Sequence, residues 1–325
     1  MKLPRRDFLH LAGATAVASA VPRVASALDY PNRPIHWIIG FPPGGGADIV
    51  SRIMGRWLSE RLGQQVIIEN KPGAGTNIAT EAVAHAPPDG YTLLWAGISN
   101  AINAMLYTGL SFDFLRDIAP ISGMVVYPLV IEAHPSVPAK NVAELVALAK
   151  ENPGKITLAS YGTGTISHVA GELFKAKVGV NMVHVPYRGG APMVSDLLGG
   201  QVQVGIDVVA ASLPHIRSGA LRALAVTTAE RLEALPDVAT VAETIPGFEA
   251  VAWTGVGVPR GTPEAIVKLL NREINAGLMD PAIKARLTEL TVTPMVLTPA
   301  EFGAYMTAET EKWTNVIKVA GIKPE

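Results

Sequence analysis

The chain has 325 residues, no cysteine, a formal net charge of −1 and 17% charged residues. The lack of cysteine excludes disulfides and thiolate metal sites, and the absence of basic or acidic blocks argues against a nucleic-acid or membrane-surface partner. A hydrophobic content of 49% can supply buried cores, and the chain is longer than one core usually serves, so we expect two domains.

The N-terminal segment 1–27 has the three parts of a signal peptide. Arg5 and Arg6 precede an apolar run over 11–21, and small residues over 25–27 resemble a cleavage site. The run is shorter than the ~20 residues that a membrane span requires. We therefore expect cleavage after Ala27 and a periplasmic mature protein. The letters RRDFL fit a twin-arginine signal and an ordinary secretory signal alike.

From residue 35 onward, short β-branched runs alternate with Gly-rich turns and amphipathic stretches, which is typical of βαβ units. Strands predicted over 36–39, 66–68 and 91–96 each lead through a polar or Gly-rich loop into a helix. The turn PPDG separates the last two of these units.

A second series of such units begins after an extended stretch over 121–132. A helix with Asn141 and Glu144 placed for a capping box comes first. Strands over 157–160, 182–185 and 202–206 then alternate with loops and helices.

A further extended run over 251–258 precedes three helical segments that reach Val319. Two extended crossovers, near Tyr127 and near Trp253, thus separate a central insert from the two ends. We predict an α/β protein with one domain from 28–128 plus 253–325 and a second from 129–252. Each domain would contain a mostly parallel sheet flanked by helices, and the crossovers would form the hinge.

Gly-rich loops over 44–46, 73–76 and 162–165 follow three of the predicted strands. In parallel α/β sheets, ligands bind beyond the carboxyl ends of the strands, where helix N-termini expose amides. Glycine lets the backbone approach a ligand, and a helix N-terminus favours an anion. The loops predict an anion site built from both domains, with Thr76 as a helix N-cap and the hydroxyls of Thr163 and Thr165 as donors.

Four polar residues have two interpretations each. Asp48 is either a favourable charge in the first turn of a helix or a ligand contact. Asp207, at the end of an apolar strand, is either a helix cap or a contact to a donor group of a ligand. His168 and Glu172 lie one turn apart, and because no third ligand is spaced nearby, we predict an exposed helix face and no metal. We also predict no cofactor.

Two enzymatic functions compete with binding. A dinucleotide-binding domain would place an acid such as Glu69 after its second strand, but FPPGGGAD lacks the G-x-G-x-x-G register. A serine hydrolase would use Ser99, with Asp207 and His215 in the required chain order. That Asp and His lie close together in the sequence and no HGGG-type oxyanion loop is present, so the hydrolase stands as the alternative to binding.

Six segments follow one another along the chain: FPPGGGADIVSR, ENKPGAGTNIA, PPDGYTLL, SYGTGT, HVPYRGGAP and LPHIRSGALRALAVT. Together they resemble the substrate-binding proteins of tripartite tricarboxylate transporters, the Bug family, from about Tyr30 to the C-terminus. The resemblance implies a two-domain Venus-flytrap fold that holds a ligand carboxylate by backbone amides and ordered water. It implies no catalysis and delivery of the ligand to a membrane permease of two integral subunits. We also expect a monomeric protein.

The sequence departs from the family pattern at Pro43, Thr76 and Gln203, where the family often has a small residue, Gly and Asp. The first two departures alter the shape of the carboxylate pocket and leave its glycines in place. Family ligands range over citrate-like acids, dicarboxylates, acidic amino acids and aromatic carboxylates. The predicted ligand-binding residues are Phe41, Pro43, Gly44, Gly45, Gly46, Asp48, Asn70, Gly73, Ala74, Gly75, Ser99, Ser160, Tyr161, Gly162, Thr163, Gly164, Thr165 and Asp207.

Overall fold

The computed structural model describes residues 29–322, so the predicted signal peptide lies outside the described residues. The strands are Ile35–Ile39 (β1), Val66–Asn70 (β2), Thr92–Gly97 (β3), Ile118–Ala133 (β4), Thr157–Ser160 (β5), Val183–Pro186 (β6), Val204–Val208 (β7), Arg222–Val226 (β8), Val251–Pro259 (β9) and Thr293–Pro294 (β10). The helices are Gly46–Leu62 (α1), Asn77–Ala84 (α2), Ile98–Leu106 (α3), Phe114–Asp117 (α4), Val142–Glu151 (α5), Ile166–Val178 (α6), Gly190–Leu198 (α7), Val209–Arg217 (α8), Glu264–Met279 (α9), Pro281–Glu289 (α10) and Pro299–Ala320 (α11).

The strands form two sheets that share β4. The first sheet has the order β2-β1-β3-β9-β4, with β10 on the free side of β4, and the second has the order β8-β4-β7-β5-β6. We call the parts of the chain built on these sheets the first unit and the second unit. Pairing is parallel within β2-β1-β3 and within β7-β5-β6.

The crossover strands pair antiparallel with their neighbours. The prediction of mostly parallel sheets therefore holds only for the three strands β2-β1-β3 and the three strands β7-β5-β6. Each sheet as a whole is mixed. The physical reason is that the chain passes from the first unit to the second along β4 and returns along β9. Because these two strands are neighbours, they run in opposite directions.

The crossing between the units lies within β4. Its residues up to Pro128 pair with β9, and those from Leu129 to Ala133 pair with β7 and β8. Thr227, which directly follows β8, is fully buried and donates its backbone N–H to the Leu129 carbonyl at 3.0 Å. Its own carbonyl accepts the N–H of Ala250 at 3.0 Å, directly before β9. Both passages of the chain between the units are thus tied to one residue.

Several helices begin and end where the sequence indicates. Asn141 caps α5 by accepting the N–H of Glu144 at 2.9 Å, which confirms half of the predicted capping box; the Glu144 carboxylate accepts the N–H of Lys140 at 2.7 Å instead of that of Asn141. Gly63 ends α1 in a left-handed conformation with φ of 69°. Thr298 and a glutamate at the third helical position form a capping box on α11, and the three predicted C-terminal helices are α9, α10 and α11.

Tryptophans fix the C-terminal helix to the first unit. Trp253 on β9 and Trp313 on α11 are fully buried, and both donate their ring N–H to the Glu309 carboxylate at 3.1 Å. Helix α11 also packs against α3 and against α6 of the second unit. Within residues 29–322, no helix is both long and apolar enough to cross a bilayer.

Candidate functional site

The Gly-rich loops of the two units meet at the carboxyl ends of their parallel strands. A β-carbon built on Gly75, after β2, would lie 3.2 Å from the carbonyl oxygen of Thr163, after β5. A β-carbon built on Gly189, after β6, would lie 3.7 Å from Pro42, after β1. Loops from opposite units therefore touch, and the absence of a side chain at Gly75 allows the close approach there.

The first loop, 40–45, is held by the carboxylate of Asp48 on α1. Asp48 is 3% exposed and accepts the N–H of Gly44 at 3.0 Å, the guanidinium of Arg52 at 2.9 Å and the amide of Asn70 at 3.0 Å. Burial alone would raise the pKa of this carboxyl, but the hydrogen bonds from Arg52, Gly44 and Asn70 hold it below its usual value. The charge of Asp48 thus stabilises the loop, and its oxygens are already hydrogen-bonded.

Asn70, at the end of β2, links the first two loops. Its amide also donates to the carbonyl of Phe41 at 3.0 Å, and its oxygen accepts from Arg52 at 3.2 Å. The ring of Phe41 packs edge-on against Trp95 at 5.1 Å. Phe41 and Asn70, both predicted as ligand contacts, therefore support the first loop by bonding and packing within the first unit.

The exposed part of this loop is Pro43, Gly44 and Gly45, followed by half-buried Gly46. Because the N–H of Gly44 is bonded to Asp48, the remaining donors are the N–H groups of Gly45 and Gly46, which bond to no other described residue. They lie at the start of the seventeen-residue helix α1, whose partial positive charge favours an anion.

The second loop has four consecutive left-handed residues. Gly73, Ala74, Gly75 and Thr76 have φ values of 132°, 45°, 60° and 89°. Asn103 on α3 holds this path by donating its side-chain amide to the carbonyl of Gly75 at 2.5 Å. Such backbone costs roughly 1–2 kcal/mol at each residue other than glycine and is found where surrounding structure fixes it.

Thr76 occupies the N-cap position of α2, but the prediction that its side chain caps this helix is wrong. Its φ of 89° is not the extended conformation that a capping side chain requires. Its hydroxyl instead accepts from the amide of Asn100 at 3.2 Å.

Ser99 lies in the first turn of α3 and is 2% exposed. Its hydroxyl forms no hydrogen bond with a histidine in the described part of the chain, where the bonded histidine side chains all have other partners. The strand-to-helix junction is also relaxed, because Gly97 is extended and Ser99 has no positive φ. The strained turn and the nucleophile-to-base bond of a serine hydrolase are therefore both missing here.

The loop Ser160–Thr165 of the second unit uses most of its polar groups internally. Thr165, predicted as a ligand donor, donates its hydroxyl to the carbonyl of Gly162 at 2.6 Å. The N–H of Gly164 bonds to His168 at 3.3 Å, and the hydroxyl of Ser160 bonds to His184 at 2.7 Å. Half-buried Tyr161 accepts the N–H of Gly189 at its carbonyl, and Thr163 is also half-buried.

Asp207 at the end of β7 is 1% exposed and has one carboxylate oxygen with no hydrogen-bond partner among the described residues. Its other oxygen accepts the N–H of Val208 at 2.8 Å. Since Val208 is the N-cap of α8, Asp207 does not cap the helix interior. Its oxygens lie 3.4 and 3.5 Å from a β-carbon built on Gly190, at the start of α7. Burial raises the pKa of Asp207 to about 7.

Sequence reasoning missed Glu132 on β4. Its side chain is fully buried; one oxygen accepts the hydroxyl of Ser212 at 2.8 Å, and the other has no partner among residues 29–322. Burial, and secondly the charge of Asp207, raise the pKa of Glu132 to about 8. The sequence feature that could have identified Glu132 is an acidic residue inside an otherwise apolar extended run.

Sequence reasoning also missed His184, on β6. Its ring stacks on that of His168, with ring centres 4.3 Å apart and an angle of 17° between the planes. His168, Glu172 and His184 each place one potential metal-ligand atom within 4.8 Å of the others. The argument that no third ligand is near His168 is therefore wrong, and His168 is 8% exposed rather than on an open helix face. That the chain binds no metal stays a prediction.

Comparison with known proteins places the chain in a family. A family model described as tripartite tricarboxylate transporter family receptor matches residues 50–322. The protein BugT of Bordetella pertussis is 36% identical over 97% of this chain and 98% of its own length.

Two solved structures from Rhodopseudomonas palustris share the fold. Rpa4515 with adipate has a TM-score of 0.88 and 36% identity, covering 91% of this chain and 100% of its own. MatC with bound malate has a TM-score of 0.83 and 30% identity, covering 89% of this chain and 100% of its own. The two-domain flytrap fold and the absence of an enzymatic role are thus confirmed, and the chain belongs to the tripartite tricarboxylate transporter receptor family, the Bug family.

Proposed function

We propose that this protein captures a small carboxylate-bearing solute between its two units and delivers it to a membrane permease of the tripartite tricarboxylate type. The observation that carries the proposal is the meeting of Gly75 and Thr163, loop residues of opposite units, at the carboxyl ends of parallel strands. The free amides of Gly45, the N-cap of helix α1, and of Gly46, its first residue, suit a carboxylate.

The ligand class follows from the donors and from the relatives. The guanidinium of Arg52, which lies one turn beyond Asp48 on α1, is paired with Asp48, so backbone amides rather than this cation would meet the anion. Rpa4515 with adipate and MatC with malate are both structures with dicarboxylic acids. A linear dicarboxylic acid is therefore the first candidate.

The proposed domains keep the boundaries 28–128 plus 253–325 and 129–252. They agree with β4 entering the second sheet at Leu129 and with β9 lying in the first. We further propose a monomer that is exported to the periplasm by the segment 1–27 and binds its ligand through the residues named from the sequence. Of these, Asp48, Asn70, Ser160 and Thr165 would act by shaping the loops, because their side chains are bonded within the protein.

A ligand screen tests this function. Adipate and malate are added to the purified protein in thermal unfolding and titration calorimetry, with dimethyl adipate as the uncharged control. A bound acid at 100 times its Kd should stabilise the fold by about 2.7 kcal/mol, and the ester should not. The proposal fails if no organic acid stabilises the protein, or if the ester is hydrolysed and Ser99→Ala abolishes the hydrolysis.

Gly45→Val provides a variant in which only the approach to the amides changes. The nearest atom to a β-carbon at Gly45 is a carbonyl oxygen at 3.9 Å, and the φ of −82° suits any residue. The variant should therefore fold normally and lose acid binding. Normal acid binding by Gly45→Val would mean that the carboxylate does not bind at the amides of Gly45 and Gly46.

A further inference from the structure

His168 and His184 come from different elements but act on one loop. His168 lies in the first turn of α6, and His184 lies on β6, where it is paired in register with Leu158 of β5. The loop Ser160–Thr165 connects β5 to α6. The stacked rings, which we call the histidine pair, are bonded to this loop from within the second unit.

The histidine pair is neutral at pH 7. Burial, and then the charge of Lys175, lower the pKa of His168 to about 4, and burial and the proximity of His168 lower the pKa of His184 to about 4. The charged groups facing the pair are Lys175 and Glu172, both on α6. A neutral imidazole has one donor and one acceptor nitrogen, so its contacts fix the tautomer.

Those contacts involve one nitrogen of each ring. His168 Nδ1 accepts the N–H of Gly164, which places the proton of His168 on Nε2. Ser160 Oγ accepts the N–H of Gly162 at 3.4 Å and lies 2.7 Å from His184 Nε2. If the Ser160 hydroxyl donates this second bond, the proton of His184 is on Nδ1. Two chains of hydrogen bonds thus run from loop glycines to the histidine pair.

The two glycines at the ends of these chains need such support. Gly162 and Gly164 have φ values of 145° and 74°, a path that no regular structure maintains. On its other side the loop touches the first unit, because a β-carbon built on Gly164 would lie 3.2 Å from the ring of Tyr107. A change in the histidine pair would therefore change the surface that meets the first unit.

Metal chelation is the other use of such a cluster, and the geometry does not favour it. In rings inclined by only 17°, the in-plane lone pairs run side by side instead of converging on one point. Glu172, the third group, forms an ion pair with Lys175 at 2.6 Å. His168 Nδ1 and His184 Nε2 are both engaged with the loop.

We infer that the histidine pair positions the loop Ser160–Thr165 for closure on the ligand, with His168 and His184 acting as hydrogen-bond acceptors. Neither residue is proposed to touch the solute. The inference rests on the proposed function for its effect on affinity, whereas its effect on the loop can be measured without ligand.

The first test uses ligand-free protein and NMR spectroscopy. In the wild type, ring ¹⁵N shifts should report the Nε2–H tautomer for His168 and the Nδ1–H tautomer for His184. His168→Leu should accelerate amide hydrogen exchange at Gly164 by ~10-fold, whereas His168→Asn, which keeps an acceptor near Nδ1, should stay within ~3-fold of the wild type. His184→Leu and His184→Gln form the corresponding pair for Gly162.

The inference is overturned by the opposite tautomers, or by equal exchange in the Asn and Leu variants. The second test measures adipate affinity by calorimetry and is expected to show ~10-fold weaker binding in His168→Leu and a change below ~3-fold in His168→Asn. Equal adipate affinity in both variants and the wild type would remove the link to binding. If adipate and malate fail to bind the wild type, the proposed function is at fault, and the NMR arm still decides the role of the histidine pair.

Discussion

Glu132 and Asp207 lie diagonally on the same face of the paired strands β4 and β7, since Asp207 is in register with Val130. Each is almost wholly buried and has one carboxylate oxygen without a partner, and neither forms an ion pair within the described residues. Two ionised carboxylates in this position would be costly, so the pair retains a proton around neutral pH.

The pH dependence of stability follows from this proton. The pKa values of about 8 for Glu132 and about 7 for Asp207 lie above the unfolded values of about 4, so the folded protein binds protons more tightly. Their contribution is fully present below pH ~4 and is lost as pH rises through 7 and 8. The free energy of unfolding, measured with urea at pH 5, 6.5 and 8, should fall by up to ~1.4 kcal/mol per pH unit for each proton.

Glu132→Gln should flatten that profile, because the amide keeps the bond from Ser212 and cannot ionise. The exposed Glu230→Gln is the matched control and should follow the wild type. A wild-type free energy that rises between pH 5 and 8 would contradict the assignment.

Gly75→Ala should weaken acid binding through the contact between the units. Its β-carbon would lie 2.9 Å from the Asn103 side chain and 3.2 Å from the Thr163 carbonyl. Gly63→Ala is the control, because Gly63 has a similar φ of 69°, against 60°, and nothing lies within 4 Å of its β-carbon. Gly63→Ala should lose about 1 kcal/mol of stability in thermal unfolding from the left-handed backbone, and Gly75→Ala should lose more because its β-carbon also displaces Asn103. Only Gly75→Ala should lose affinity in calorimetry; equal affinities would mean that this contact does not govern closure.

Lys71→Ala and Arg188→Ala should each weaken binding by less than about 1.5 kcal/mol, because backbone amides carry the interaction with the anion. Lys71 is already near Glu69 at 3.8 Å, and Arg188 is exposed beside Gly189. Calorimetry on both variants provides the measurement. Loss of most of the affinity in either would indicate a cationic clamp.

Closure should be visible in solution. A ligand stabilises the closed arrangement by its differential affinity for that arrangement, so small-angle scattering should give a smaller radius of gyration at saturation. An unchanged radius would exclude closure as the response to ligand. Asp207→Ala should bind more weakly and close less, since this residue acts from the second unit alone. Normal binding and closure in Asp207→Ala would leave it with a structural role only.

The fold could be predicted because its signals are local. Alternating β-branched runs and Gly-rich turns located the parallel strands, and Asn141 with Glu144 marked a helix start that the structure reproduces. The short strand β8 was missed, because Arg222–Val226 has a single β-branched residue and therefore gives only a weak strand signal.

The site was harder to predict because side chains near a ligand loop can bond to the loop itself. Asp48 and Thr165 have the right chemistry for a ligand, yet their bonds to Gly44 and Gly162 arise only when the loop has folded. His184 and Glu132 depend on strand pairing that brings distant parts of the sequence together, so no spacing rule could find them.

The double attachment of Thr227 has a mechanical consequence. Because one buried residue is bonded to Leu129 on the outgoing passage and to Ala250 on the return, the two connecting segments cannot twist or slide independently. Relative movement of the units should therefore bend both segments together at Leu129, Thr227 and Ala250. Opening and closing would then leave these central hydrogen bonds intact.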